Sequence, residues 1–317
     1  MSDTLTEVFS LLDLRSARCT RLEAGGDWAL RFPAKPALKF AAVMRGGCWL
    51  IYPNQEHIWL DEGDVFLLSH TPPYVIASDP NLLAEDGVAV IDWEHSDTGH
   101  YGGAETVLLA GSFLLDDLHA QLLIDTLPPF MRIPAAAPSA ASLRHTLEIL
   151  DTEIRRTEIG FGLMRRHLAD MLLVQLLRAF AKREYAGTTA EPEDVLTSWI
   201  RALNNSQIGA ALDLMHSEPS RPWTVADLSH RVCMSRSSFS NAFRTAVGKS
   251  PIDYLLHWRM QLAQRLIQEG LSIAEVSETV GYMSQSAFGA AFKRTVGHSP
   301  KAQLKKPVGK EENRQRR

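Results

Sequence analysis

The residues with the clearest chemistry in this sequence form a small polar set near the carboxyl end. Ser237, Ser240, Asn241 and Arg244 are spaced i, i+3, i+4 and i+7, so one face of a helix would carry all four side chains. Asparagine pairs with adenine through two hydrogen bonds, serine bonds to several base edges, and arginine reaches guanine or a phosphate. These residue types on one helix face indicate recognition of a nucleic acid.

A second copy of the surrounding pattern follows in the chain. The segment VADLSHRVCMSRSSFSNAFRTAVGKSP (225–251) matches IAEVSETVGYMSQSAFGAAFKRTVGHSP (273–300), which has one extra residue in its turn. In each copy a short helix and a tight turn precede a second helix, which begins at Ser235 or Ser284 and ends before Gly-x-Ser-Pro. Phe and Ala at i, i+3 and i+4 give this second helix a buried face. The pattern predicts two helix-turn-helix units, each with one reading helix for the DNA major groove.

The two reading helices differ in their exposed chemistry. The second has Ser286, Gly289 and Ala290 at the positions where the first has hydrogen-bonding side chains. We therefore hypothesise that the first unit performs most of the sequence discrimination and that the second mainly anchors through phosphates, with a thymine methyl against Ala290 as a weaker additional contact. The alternative is that both units contribute equally, through water or DNA shape.

Basic side chains at the helix ends are candidates for phosphate contacts that set the register on DNA. Arg236, at the start of the first reading helix, could equally contact guanine. The predicted DNA-binding residues are Arg236, Ser237, Ser240, Asn241, Arg244, Gln285, Ser286, Lys293, Arg294 and His298.

Charge and spacing both support a double-stranded DNA partner. Residues 221–317 carry 16 basic and 7 acidic side chains, whereas residues 1–220 carry 17 basic and 30 acidic ones. A helix predicted at 252–269 would span roughly 27 Å between the two copies. A connector of that length can set two reading helices about one turn of B-DNA, roughly 34 Å, apart.

Composition excludes several classes of protein. With 45% hydrophobic and 22% charged residues in 317, the chain fits a globular protein of two domains. No apolar run approaches the about 20 residues of a membrane span, and no signal peptide is visible. Cys19, Cys48 and Cys233 are too few and too far apart for a disulfide framework or a metal clip. These features predict a soluble, cytoplasmic protein with no membrane partner.

Short strands separated by Gly, Pro, Asn and Asp predict an all-β barrel or sandwich in the amino-terminal part. The predicted strands are 17–23, 28–33, 38–44, 48–53, 57–60, 64–69, 88–93 and 106–113.

Helical periodicity follows at 116–129, 139–156 and 160–183. The last of these helices has a broad apolar stripe, which predicts that it pairs two chains into a homodimer; the alternative is that it caps the barrel. The stripe consists of Met164, Leu168, Met171, Leu172, Leu176 and Phe180. The predicted organisation is a strand-rich domain with these helices at 1–185, a linker at 186–205, a double helix-turn-helix domain at 206–304 and a basic tail at 305–317.

The repeated carboxy-terminal motifs resemble those of the AraC/XylS family of bacterial transcription regulators. The resemblance is dense over 207–304 and includes GYMSQSAFGAAFKRTVGHSP. The segments GDVFLLSHTPPYVIASDP and LLIDTLPPFMRIP resemble the cupin-type effector domain of one branch of that family. The resemblance implies an α+β multidomain regulator: a cupin-like β-barrel, a helical dimerisation segment and an all-α DNA-binding domain. It also implies a small-molecule effector and contact with RNA polymerase.

The strand region departs from the pattern of metal-binding cupins. Such cupins have an HxH pair, but His57 and His70 are isolated here, and Tyr74 stands where these barrels often have a histidine. We therefore predict no metal, no cofactor and no catalytic activity. A cupin-type metalloenzyme and an effector-independent architectural DNA binder are the competing interpretations.

Aromatic and polar side chains of the barrel are the candidates for holding an organic effector. We select Arg45, Trp49, His57 and Tyr74; the alternative is that the aromatic side chains only fill the barrel core.

Overall fold

The computed structural model describes residues 15–34, 38–52, 57–69, 72–89, 95–114, 127–156, 158–182 and 199–304. The chain divides into two compact units, Asp13–Leu196 and Thr197–Arg317. Strands and two helices make up the described part of the first unit, and helices that of the second.

Two sheets of short strands form most of the first unit. The strands are β1 (Arg15–Ala24), β2 (Ala29–Phe32), β3 (Leu38–Arg45), β4 (Gly47–Ile51), β5 (Ile58–Asp61), β6 (Val65–Leu68), β7 (Tyr74–Ala77), β8 (Glu85–Asp86), β9 (Thr98–Tyr101), β10 (Thr106–Leu114) and β11 (Phe130–Ile133). One sheet has the order β11-β6-β3-β10-β1-β9 and the other β5-β4-β7-β2-β8. Neighbouring strands are antiparallel except in the pairs β1–β9 and β2–β8.

The two sheets pack face to face around one apolar core. Leu22, Val43 and Phe66 of the first sheet meet Leu30 and Leu50 of the second. In the described residues β9 and β11 form the edges of one sheet, and β5 and β8 those of the other. The predicted β-barrel is therefore corrected to two separate sheets, because β8 has only two residues and cannot carry the hydrogen-bond ladder round to a closed cylinder.

Seven of the eight predicted strands are confirmed as β1 to β6 and β10. The strand predicted at 88–93 is wrong in its described part, where Val88 and Ala89 lie in a turn. The carboxylate of Asp86 accepts hydrogen bonds from both of their backbone N–H groups, at 2.9 and 3.3 Å, which stabilises the turn against an extended conformation. The segment around His100, where no strand is predicted, forms β9.

The two helices of the first unit are α1 (Ala140–Arg155) and α2 (Phe161–Ala181). They confirm the helices predicted at 139–156 and 160–183. The helix predicted at 116–129 lies outside the described residues up to residue 126, and 127–129 are not helical.

Most of the apolar stripe of α2 packs within its own unit, against α1 and β1. Its buried members are Leu168, Leu172, Leu176 and Phe180. Met164 and Met171 are exposed. Homodimerisation through α2 therefore stays a prediction that only the exposed part of this helix could support.

Ion pairs attach the two helices to the edge of the six-stranded sheet. Arg21 of β1 is buried and pairs with the buried carboxylate of Asp151 on α1. Arg165 of α2 pairs with Asp97 at 2.5 Å, and Asp97 also binds Arg18 of β1. Because a buried charge is costly without a partner, these pairs fix how the helices lie on the strand.

The described part of the carboxy-terminal unit contains short helices and longer ones. They are α3 (Trp199–Ala202), α4 (Ser206–Ser217), α5 (Val225–Arg231), α6 (Arg236–Val247), α7 (Pro251–Gln268), α8 (Ile273–Thr279), α9 (Gln285–Val296) and α10 (Pro300–Gln303). The linker predicted at 186–205 lies outside the described residues up to residue 198. Its remainder includes α3, which contacts α6.

Helix α7 contributes to two apolar clusters. Near its start Tyr254 contacts Phe243 of α6, with ring centroids 5.8 Å apart. Near its end Met260 and Ile267 pack with Phe288 of α9. One rigid helix therefore supports both reading helices, as its predicted extent of 252–269 requires.

A buried histidine lies in the first of these clusters. The ring of His216 on α4 stacks on Trp258 at a centroid distance of 3.7 Å, and its Nε2 lies 2.8 Å from the Tyr254 hydroxyl. Burial lowers the pKa of His216 to about 3, because the apolar surroundings disfavour the charged imidazolium.

This burial makes the helical unit sensitive to acid. The unfolded chain binds a proton at His216 near pH 6.5 and the folded chain only near pH 3, so stability falls as the pH drops below about 6.5. The loss is at most about 1.4 kcal/mol per pH unit. In calorimetry of the full chain at pH 7 and pH 5, His216→Gln should show a smaller drop in melting temperature than the original chain. An equal drop in both would contradict the prediction.

Candidate nucleic-acid interface

The first helix-turn-helix unit consists of α5 and α6. A capping box begins α5: Thr224 Oγ1 accepts from the Asp227 backbone N–H at 3.1 Å, and the Asp227 carboxylate accepts from the Thr224 N–H at 3.2 Å. The hydrogen bond from the Thr224 side chain is also the main reason why the pKa of Asp227 is lowered. Ser235 caps α6 through the Ser238 N–H at 3.2 Å, and Gly248 ends it at φ 79°.

The second unit, α8 and α9, repeats this arrangement with different side chains. Ser272 and Glu275 form its capping box, and the Ser272 side chain lowers the pKa of Glu275. Ser284 caps α9 through the Ala287 N–H at 3.2 Å, and Gly297 ends α9 at φ 89°. Both predicted serine caps and both predicted glycine stops are confirmed.

The turns of the two units are held in different ways. Cys233 adopts a φ of 56° where the second unit has Gly281 at 80°. A side chain at Gly281 would collide with the carbonyl oxygen of Ser220. Arg259 of α7 holds that loop, since it donates to the carbonyls of Pro219 and Arg221 at 2.7 Å each. The loop before the first helix-turn-helix unit thus packs on the turn of the second one and helps to fix the spacing of the two helix-turn-helix units.

Most of the predicted DNA-binding residues are accessible. Eight of the ten are exposed, and only Ser240 and His298 are half-buried. His298 lies against the Phe292 ring, with centroids 6.0 Å apart. Four aromatic residues of this domain are buried and serve its packing: Trp223, Trp258, Phe239 and Phe292.

The cationic members of the set are available to an external anion. Among the residues that the structure describes, none of the four exposed cations of the two reading helices forms an ion pair within 4.0 Å. These four are Arg236, Arg244, Lys293 and Arg294. An unpaired cation on the surface pays less desolvation to reach a phosphate than one that must first leave a carboxylate.

The exposed side chains of α9 are less polar than those of α6 at two of the matching positions. Ala290 is exposed where α6 has Asn241. A Cβ at Gly289 would meet no atom within 4 Å outside its own stretch of helix, so packing within the protein does not require glycine there. Met283, directly before the Ser284 cap, is 103% exposed. The sequence reasoning did not select Met283 as a contact residue.

The amino-terminal unit, which holds the two sheets, contains a cavity of about 50 Å³ between them. Small side chains create it, since Thr20, Ala110 and Ala41 are neighbours in one row across β1, β10 and β3. Tyr74 and Phe32 face this row from the other sheet. Burial raises the pKa of the Tyr74 hydroxyl.

Of the four predicted effector residues, only Tyr74 lines this cavity. Trp49 points away from the core, as its neighbours Cys48 and Leu50 are buried in strand alternation, and it packs edge-on against Trp59. Arg45 and His57 are exposed, and Arg45 donates to the carbonyl of Ala104. These three residues lie outside this cavity, and their role in effector binding stays a prediction.

Lys39 is the cavity residue that sequence reasoning missed. Its ammonium donates to the Tyr74 hydroxyl and lies 4.9 Å from the Tyr74 ring centroid and 5.1 Å from that of Phe32. The alternation of β3 was the signal, because Lys39 shares a face with Ala41 and Val43.

Two further properties concern the described part of the chain. Among those residues there is no group of three or more His, Cys, Asp and Glu that could hold a metal ion. No helix there combines the length and the apolar character needed to cross a membrane.

Two family models match this chain. The model described as Cupin matches residues 3–182, and one described as a helix-turn-helix domain matches residues 228–306.

Similar proteins with curated names match along almost the whole chain. A putative AraC-like transcription regulator from Streptomyces lividans is 35% identical over 96% of this chain and 99% of its own. The regulator AlkR from Acinetobacter baylyi is 26% identical, with 94% and 98% covered. Among solved structures, the DNA-binding domain of AdpA, in complex with a target DNA, is 30% identical over 30% of this chain and 86% of its own, with a TM-score of 0.29.

The assignment rests on the extent and identity of the Streptomyces match. The cupin and helix-turn-helix matches, in the amino-terminal and carboxy-terminal parts of the chain, agree with it. This protein belongs to the family of AraC-like transcription regulators, which bind DNA sequence-specifically, and it has an amino-terminal cupin domain and a carboxy-terminal helix-turn-helix domain.

Proposed function

We propose that this regulator inserts α6 and α9 into adjacent major-groove segments and that α6 performs most of the sequence discrimination. The observation that carries the proposal is the difference between the two exposed surfaces. Helix α6 has Ser237, Ser240 and Asn241, which can hydrogen-bond to base edges. The matching positions of α9 are Ser286, Gly289 and Ala290, so two of the three have no polar side chain.

Phosphate contacts supply much of the affinity in this proposal. Arg244, Lys293 and Arg294 lie in the last turns of the two reading helices and are exposed. The net excess of basic residues in 221–317 favours any duplex, whatever its sequence. The alternative of equal discrimination through water or DNA shape predicts the same contacts but no asymmetry.

Two substitutions distinguish base contact from phosphate contact. Asn241→Ala should weaken binding to the preferred duplex by roughly 1–3 kcal/mol and relax the preference at one base pair. Lys293→Ala should weaken binding to all sequences by a similar factor and reduce the slope of log affinity against log salt by about one unit. Titrations of both variants on preferred and scrambled duplexes at several salt concentrations measure these effects.

Base-pair scanning of the preferred duplex supplies the control. The larger penalties should fall under the segment that Asn241→Ala relaxes. The asymmetry is wrong if the larger penalties fall under the other segment.

We also propose that the cavity between the two sheets of the amino-terminal unit binds a small-molecule effector. Its apolar walls and the Lys39–Tyr74 pair offer one polar end in a mainly apolar space. The cavity of about 50 Å³ is smaller than the roughly 300–1,000 Å³ of typical ligand pockets, so an organic effector would have to enlarge it.

Filling the cavity tests this proposal. In a thermal-shift screen of metabolites on the full chain, compounds that raise the melting temperature should do so less for Ala110→Val, because the added methyl groups occupy the cavity. Ala110→Ser changes the volume little and should respond like the original chain. Equal responses in all three would place the effector elsewhere, and no response to any compound would favour the architectural binder.

We propose in addition that two copies associate and that no catalytic activity accompanies DNA binding. Met164 and Met171 on α2, with Ile149 on α1, are large apolar side chains that water would otherwise cover. A dimer would bring two pairs of reading helices to one promoter, where RNA polymerase is the expected further partner. Light scattering of the full chain at micromolar concentration should give a dimer that Met171→Lys weakens, whereas a monomeric original chain contradicts the proposal.

A further inference from the structure

The second reading helix exposes an apolar edge that the first one lacks. Met283, Ala287 and Ala290 are all exposed. Ala287 and Ala290 lie three residues apart on one side of α9, and Met283 directly precedes the Ser284 cap at the start of that helix. In α6 the positions that match the two alanines are occupied by Ser238 and Asn241. Met234 precedes the Ser235 cap as Met283 precedes Ser284, but Met234 is half-buried. The first helix-turn-helix unit is therefore polar at the positions of the two alanines, where the second presents only carbon.

Nothing in the described part of the protein accounts for this edge. A glycine within a helix costs about 1 kcal/mol relative to alanine, yet a Cβ at Gly289 would touch nothing within 4 Å outside its own helical stretch. The same holds for Met283, whose side chain makes no use of the protein surface at 103% exposure. The space left at Gly289 lets an external surface approach the backbone of α9 closely.

The major groove offers one group that suits such an edge. Thymine alone presents a methyl group there, and apolar side chains distinguish it by packing against it. Gln285 is exposed beside the edge and can form two hydrogen bonds with an adenine, so the polar and apolar groups of α9 both fit A·T pairs.

We propose that the second unit recognises thymine methyl groups through Met283 and Ala290, with Gly289 permitting the close approach. This inference rests on the proposed insertion of α9 into the major groove. It assigns the second unit a specificity of its own, which adds to its phosphate contacts without hydrogen bonding to more bases.

Deoxyuridine provides the test, because it differs from thymidine only by the missing methyl group. A preferred duplex is first selected from random DNA, and the segment under the second unit is located as the one where Gln285→Ala changes the base preference. Each thymine of the duplex is then replaced singly by deoxyuridine. Replacement under the second unit should weaken binding by about fourfold for each contacted methyl group, whereas replacement under the first should have little effect.

Variants assign the effect to a side chain. Met283→Ala should abolish the sensitivity to one deoxyuridine and leave its affinity for the substituted duplex unchanged, while Met283→Leu should retain the sensitivity. Leu83→Ala, at an exposed apolar side chain of the amino-terminal unit, is the control and should behave like the original chain.

The outcomes separate this inference from the proposal beneath it. Tight binding that is indifferent to deoxyuridine under the second unit, or a selected segment without thymine there, overturns methyl recognition and leaves the major-groove proposal intact. Sensitivity that survives Met283→Ala unchanged removes Met283 as the reader. If only one segment of the duplex shows any sequence preference, the insertion of α9 itself is wrong.

Discussion

The DNA-binding unit depends on one helix that belongs to two cores at once. Helix α7 gives Tyr254 and Trp258 to the cluster that supports α6, and Met260 and Ile267 to the cluster that supports α9. Its length therefore sets the separation of the reading helices, and its rotation sets which faces they present. Arg259 adds a second constraint, since it holds the loop at 219–221 against the turn of the second unit. The insertion or deletion of one residue within α7 would turn one reading helix by about 100° relative to the other.

The same scaffold carries two different chemical surfaces because buried and exposed positions vary independently. Phe239 and Phe243 in α6 correspond to Phe288 and Phe292 in α9, and all four are fully buried. The exposed positions are free of that packing constraint, so Asn241 and Ala290 differ without any cost to the fold. Two copies of one motif can thus divide the work of polar and apolar base recognition on a fixed geometry.

The sequence predicts best the elements whose own residues decide their structure. Ser235, Ser284, Gly248 and Gly297 mark helix ends by local chemistry, and each was identified without the fold. Strand β9 was missed because its parallel pairing with β1 leaves no hydrophobic alternation to detect. The turn at Val88 was predicted as a strand because its apolar residues give no sign that Asp86 binds their backbone. The residues that line the cavity could not be identified for a related reason. The cavity arises from a row of small side chains on three strands, and that row exists only once the register of those strands is known.

In the amino-terminal unit, the cavity and the packing of the helices both depend on polar pairs that are removed from water. Lys39 and Tyr74 hold a charge and a hydroxyl at the edge of an apolar core, and Arg21 and Asp151 bury an ion pair where the helices join the sheet. Both arrangements tolerate little displacement, because a buried polar group that loses its partner costs several times what the bond itself contributes. A ligand that enlarges the cavity must therefore move strands β1, β3 and β10 as a set, and β1 is the strand to which Arg21 ties α1. Any response of this unit to a ligand would then pass through that strand.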